Sequence, residues 1–192
     1  MTNQDPGQPH KRPDQPHKRI VSSSYLVSEK AVELSEVEYG LIVASNAFGM
    51  WMVKAMSAAL AEMEQSADLG VLDILCLHSV NHRGRAKKLA DICFKLNVDD
   101  SHTVNYALKK LVKYGLVQSK KQGKEVFYGT TKQGQALCMA YRDVRESCLV
   151  DEYAAFDGGS GKPNAESLSE VARQLRLLSG LYDQAARSAT SF

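Results

Sequence analysis

A mainly α fold with one small β-hairpin is predicted by three observations. Apolar residues recur at three- and four-residue steps through most of the 192-residue chain. The period turns from helical to alternating only once, after Gly115, and alternates as far as Thr131. Two long apolar-striped segments, one on each side of this region, have the look of packing helices rather than parts of the central module.

Residues 1–24 form a Pro-rich basic arm with "QPHKR" repeated at Gln8–Arg12 and Gln15–Arg19. Its proline and charge oppose a packed core, so disorder is expected, either as a solvated tail or as an arm reaching a polyanion. The polar stretch Met1–Arg19 does not read as a signal peptide. The first helix is expected from Ser35, where "SEVE" matches a capping box closed by Glu38, to about residue 65. From Tyr39 to Ala61 its only charge is Lys54. A bilayer span needs about 20 apolar residues, so the length fits. Ser45, Asn46, Lys54, Ser57 and the lack of basic flanks argue instead for a helix buried between subunits.

A second helix is expected with Asp68 as N-cap, running through "LGVLDILCLHSV", and a third over residues 86–96. The fourth, about 100–114, has Asp99 or Asp100 as cap and turns Val104, Ala107, Leu108 and Leu111 inward. A hairpin over about 117–130 turns at Gln122-Gly123. A fifth helix covers 132–153. After "DGGSGKPN", Asn164 is placed to cap the last helix, whose stripe of Leu168, Val171, Leu175, Leu178 and Tyr182 is coiled-coil-like. The organisation is therefore an arm (1–24), an N-terminal helical dimerisation region (25–66), a central module (67–135) and a C-terminal helical dimerisation region (136–192).

Charge is concentrated in that central module. Between His82 and Lys132 stand twelve basic residues and four acids, a local charge of +8 in a chain of +2, which leaves −6 for the rest. A basic middle within acidic ends suggests a polyanion-binding module. Three helices followed by a lysine-tipped hairpin are the parts of a winged helix-turn-helix, whose third helix enters the DNA major groove by its N-terminal half. The fourth helix of this chain holds Ser101, His102, Thr103, Asn105 and Tyr106 on the face away from its core side. Asn105 can pair with adenine in bidentate fashion, and Ser101 and Thr103 can donate or accept. Tyr106 offers a ring to a thymine methyl and a hydroxyl to phosphate. Lys109, Lys110 and Lys113 follow for backbone phosphates, with Lys120, Lys121 and Lys124 in the wing.

"TVNYALKKLVKYGLV" (Thr103–Val117), then the hairpin and "TTKQGQAL" (Thr130–Leu137), resemble the recognition helix, wing and following helix of the MarR family of transcriptional regulators. The resemblance spans about residues 68–150. It implies a homodimer bound to a pseudo-palindromic operator of double-stranded DNA and often released by a small ligand. It also implies dimerisation through the terminal helices, where Leu41, Phe48, Trp51 and Met52 join the C-terminal stripe. The chain departs from the family in its turn "KLNVDDSHTV", one residue longer, and in its wing. There Ser119, Lys120, Lys121 and Gln122 stand in place of an Asp-x-Arg pattern, so the wing lysines read as backbone contacts.

A competing reading keeps the winged-helix module for protein contact, with only nonspecific DNA affinity. An enzyme is not expected: there is no phosphate loop, nucleophile elbow or zinc motif, and "DGGSG" lacks the preceding strand and Lys-Ser/Thr ending of a P-loop. No cofactor or metal is expected from the scattered Cys76, Cys93, Cys138 and Cys148. Reduced thiols and a cytoplasmic setting follow, with a redox role for Cys93 or Cys148 left open. A small-molecule effector entering beside Phe48, Trp51 and Met52 is open too, against core or dimer packing of the same side chains.

Overall fold

The computed structural model describes residues 27–156 and 165–191. The QPHKR arm, the loop at 157–164 and the expected Asn164 cap lie outside the described residues. Helix α1 (Val32–Glu62) begins before the expected Ser35. Ser28 opens it: the Ser28 hydroxyl accepts from the Ala31 N–H at 3.1 Å, and the Ser28 N–H donates back to the Ser35 hydroxyl at 2.9 Å. Ser35 is thus a buried anchor one turn inside the helix rather than its cap. The chain divides into two units between Phe48 and Gly49. In the first, the α1 side chains Leu34, Val37, Tyr39, Ile42, Val43 and Phe48 are exposed.

The second unit holds the core. Met52, Ala55, Met56, Ala59 and Leu60 recur at helical steps on α1 and are buried. Length and composition would let α1 cross a membrane, and only 17% of its most apolar stretch is buried. Helix α2 (Val71–Asn81) is central, touching α3 (Leu89–Leu96), α4 (Ser101–Lys113), α5 (Lys132–Arg145) and the sheet. Its Ile74, Cys76, Leu77 and Val80 are essentially inaccessible. Full burial of such a side chain contributes roughly 1.5–3 kcal/mol, so this helix anchors the fold. The α2 cap is not Asp68. Gly70 precedes the helix, and the Asp73 carboxylate accepts the Gly70 N–H at 2.9 Å.

Residues 87–88 are not helical, as the periodicity of 86–96 suggested, but form a two-residue strand β1 (Lys87–Lys88). With β2 (Val117–Gln122) and β3 (Glu125–Thr130) it makes an antiparallel sheet of order β1-β3-β2. Lys87 pairs with Tyr128 and Lys88 with Phe127. The β2–β3 register runs from Val117↔Thr130 to Gln122↔Glu125, leaving Gly123-Lys124 as the turn, with Gly123 at φ +62°. Only the root of the hairpin is buried, at Val117 and Tyr128.

Helix α5 continues through a π-helical segment, Glu146–Val150, into α6 (Asp151–Phe156), close to the single helix expected over 132–153. After Gly134 in its first turn, no Pro or Gly interrupts it as far as Phe156. Helix α7 (Ala165–Ala189) has no buried residue: Leu168, Val171, Leu175, Leu177 and Leu181 are exposed, and Leu178 and Tyr182 half-buried.

Candidate nucleic-acid interface

Helix α4 is held by both ends. Its N-cap Asp100 accepts the His102 N–H at 2.9 Å. At the other end Gly115 adopts φ +71°, and the Leu116 N–H returns to the Leu111 carbonyl at 3.0 Å, the Schellman closure. The preceding turn is shaped by Asn97 at φ +53°, with the Val98 N–H on the Cys93 carbonyl at 3.1 Å. Asparagine tolerates this left-handed geometry better than most side chains. Between these closures Val104, Ala107, Leu108 and Leu111 are buried, which fixes the rotation of the helix.

That rotation leaves Ser101, His102, Thr103 and Lys109 exposed, Asn105 half-buried, and Tyr106 73% exposed. The Thr103 hydroxyl donates to the Asp100 carbonyl at 2.8 Å, so towards an external partner it acts as an acceptor. Tyr106, Lys109, Lys110, Lys113 and Tyr114 line a shallow concavity of about 370 Å³.

The lysines do not share one role. Lys110 forms a 2.7 Å ion pair with Asp73, the same carboxylate that caps α2. The Asp73 hydrogen bond is the main reason its ammonium is held above the ordinary lysine range. A phosphate contact from Lys110 therefore requires breaking that pair. Lys88 pairs with Glu125 at 2.7 Å and lies 5.5 Å from the centre of the Phe127 ring, so it braces the wing. Lys87 is 8% exposed and spends its three protons on the carbonyls of Val80 (2.9 Å), His82 (2.6 Å) and Arg85 (3.0 Å). Lys109, Lys113, Lys120, Lys121 and Lys124 are exposed, and Arg83, Arg85 and Lys95 line a different concavity. In sequence these cations form one basic run; the partners that separate them stand up to 37 positions away.

The wing is clamped to the end of α4 by Thr131. Its hydroxyl donates to the Gly115 carbonyl at 2.7 Å and accepts the Gly134 N–H at 3.0 Å, while its own N–H bonds to Leu116 O at 3.1 Å. A Cβ at Gly134 would collide with that Leu116 carbonyl, so only glycine fits. Thr131 and Gly134, part of the motif read from sequence, thus set the angle between wing and α5.

Of the residues expected at a subunit interface, Phe48, Leu168, Val171 and Leu175 are exposed, whereas Leu41, Trp51, Leu178 and Tyr182 are half-buried. Met52 is 3% exposed within its own core and is removed from the surface set. Cys76 and Cys138 are pushed up to about 12 and about 11 by burial, so their thiols are poor nucleophiles. Among the described residues no group of three His, Cys, Asp or Glu side chains is placed to hold a metal.

Residues 69–134 match the family model of the winged helix DNA-binding domain, and they fold as three helices followed by a β-hairpin wing. The chain around that domain has the fold of MarR family regulators. It is similar to the structure of NMB1585, a MarR family regulator from Neisseria meningitidis, at TM-score 0.58 and 15% identity, over 81% of this chain and 97% of that one. Sco5413, a MarR family transcriptional regulator from Streptomyces coelicolor, superposes at TM-score 0.56 and 16% identity, covering 79% and 96%. CouR from Rhodococcus jostii RHA1, bound to p-coumaroyl-CoA, does so at TM-score 0.51 and 14% identity, covering 71% and 88%. No sequence among the curated proteins matches this chain.

Proposed function

We propose that the protein is a homodimeric, sequence-specific DNA-binding transcriptional regulator of the cytoplasm. Helix α4 reads base edges in the major groove and the wing lysines hold the backbone or minor groove. The observation that carries the reading is the division of α4. Its apolar side is locked into the core while Ser101, His102, Thr103, Asn105 and Tyr106 stand on the outward part of the helix, capped at its N-terminus.

Dimerisation draws on the unburied apolar side chains of α7 and of the N-terminal part of α1, including Phe48 at 56% exposure. A two-fold dimer addresses a pseudo-palindromic operator with half-sites about 34 Å apart. Sedimentation at micromolar concentration tests this part. A dimer that Val171→Glu with Leu175→Glu converts to a folded monomer supports it, and a wild-type monomer overturns it. The p-coumaroyl-CoA held by CouR favours including a small-molecule effector, its chemistry open.

The deciding experiment is fluorescence anisotropy on duplex DNA from upstream of the protein's own gene, against a shuffled duplex, across a salt series. Preference for the native duplex at physiological salt supports a regulator. Equal release of both as salt rises leaves a merely electrostatic surface and favours a protein-contact module.

A further inference from the structure

Away from α4 and the wing, the corner where α2 gives way to β1 gathers a second set of cations. His82, Arg83, Arg85, Lys87, Phe94 and Lys95 line a concavity of about 550 Å³, within the range of small-ligand sites. No residue of α4 contributes to it. Arg83, Arg85 and Lys95 are exposed and have no acidic partner among the described residues. The one carboxylate in the lining, Asp91, accepts the Lys88 N–H at the start of α3, at 3.2 Å.

The corner is also cross-linked by hydrogen bonds. The buried Lys87 ammonium ties together the carbonyls of Val80, His82 and Arg85, and so fixes the loop that carries both arginines. Arg83 and Gly84 are both left-handed, at φ +62° and +61°. An arginine in that conformation costs about 1–3 kcal/mol. Beside the cations Phe94 is 89% exposed, the most exposed large apolar side chain described. The same cations act on His82, which is held below the usual histidine value, first by Lys95, then by slight desolvation and by Arg83, Lys87 and Arg85.

We propose that this corner binds a small organic polyanion bearing a planar ring, the chemical class of nucleotides and aryl phosphates. Its charged groups meet Arg83, Arg85 and Lys95, and its ring lies against Phe94. Three unpaired cations match more than one negative charge, and bidentate guanidinium geometry suits phosphate oxygens. The exposed phenyl ring adds stacking that a bare anion cannot use. A DNA backbone would satisfy the cations but would leave both the concavity and Phe94 without purpose. The site does not depend on the DNA-binding reading, and its test needs no DNA.

The test is calorimetric titration of the full chain with adenosine 5′-monophosphate, with inorganic phosphate and adenosine as charge-only and ring-only controls. One saturable site per chain is expected for the nucleotide, with both controls binding at least about tenfold more weakly. Arg85→Gln and Lys95→Gln each weaken it by about tenfold or more, and Phe94→Ala by about fivefold. All three side chains are exposed, so the variants keep the fold, which circular dichroism checks. In NMR titrations of wild type, the nucleotide raises the His82 midpoint by relieving the repulsion from Lys95, Arg83, Lys87 and Arg85. Absence of saturable binding overturns the proposal. So does binding indifferent to Lys95→Gln and Phe94→Ala, or equal affinity for inorganic phosphate. If the same substitutions change only affinity for duplex DNA, these cations serve the backbone and the proposal also fails.

Discussion

Asp73 joins stability to recognition. One carboxylate caps α2 through the Gly70 N–H at 2.9 Å and holds Lys110 of α4 at 2.7 Å. Loss of a helix cap costs about 1 kcal/mol. The ion pair lies between surface and interior, with side chains 24% and 10% exposed. Its loss falls between the near-zero cost of exposed pairs and the roughly 3–5 kcal/mol of broken buried ones, at about 1–2 kcal/mol. Asp73→Ala removes both and is expected to destabilise by about 2–3 kcal/mol. At about 2–4 °C per kcal/mol, the melting temperature falls by about 4–12 °C. Asp73→Asn keeps an oxygen for the cap and loses only the pair, so it costs about 1–2 kcal/mol.

DNA binding moves the other way. Each phosphate contact contributes about 0.9 to the slope of log affinity against log salt. Lys109→Gln and Lys113→Gln reduce the slope by about that amount per protomer, whereas Lys110→Gln leaves it unchanged because Asp73 already occupies the ammonium. Asp73→Asn frees Lys110 and steepens the slope by about 0.9 per protomer. Thermal melts read the first effect and anisotropy across a salt series the second. If Lys110→Gln flattens the slope as much as Lys109→Gln does, the reasoning is refuted.

Three further outcomes are expected. Gly134→Ala drives a methyl into the Leu116 carbonyl and the Thr130 side chain, and is expected to cost about 3 kcal/mol in denaturant titration; a change within 0.5 kcal/mol counts against the wing clamp. Asn105→Ala is expected to erase preference at one base pair, about 1–3 kcal/mol, in a panel of single-base operator variants; uniform weakening on every sequence excludes it as a base reader. His78 is held below its usual 6.5, mainly by burial and then by Arg145, and sits edge-on to the Tyr141 ring at 4.7 Å. The unfolded chain therefore takes up the proton first, and stability declines as pH falls below about 6.5 toward the folded-state value. His78→Phe keeps a ring there and removes that part of the decline, which melting curves from pH 8 to 5 detect.

Local chemistry was legible wherever neighbours in sequence decide the structure. The three- and four-residue spacing of Val104, Ala107, Leu108 and Leu111 foretold the buried side of α4, because a helix needs only its own residues to set its face, and of the two acids expected at its cap Asp100 takes the place. Alternation after Gly115 marked the hairpin, though its turn lies at Gly123-Lys124, one residue beyond the expected Gln122-Gly123, because Gln122 pairs with Glu125. Thr131 and Gly134 stood out as a motif, though the carbonyl that demands glycine could not be seen. Misses fell where a partner is distant. Two residues carry no period, so β1 exists only through its pairing with Tyr128 and Phe127 on β3. The α2 cap moved from Asp68 to Gly70 because Asp73 reaches back to it.

The sequence by itself determined which segments are helices, where the single hairpin lies, and that the basic charge belongs to the middle of the chain. Those properties depend on spacing and composition over a few turns. Tertiary structure decided what each cation does. Lys87 is consumed by three carbonyls, Lys110 by Asp73 and Lys88 by Glu125, while Arg83, Arg85 and Lys95 are drawn to a separate corner. Charge in a sequence is only a count. An ammonium becomes a contact, a brace or a buried strut according to which acceptors the fold brings within about 3 Å of it.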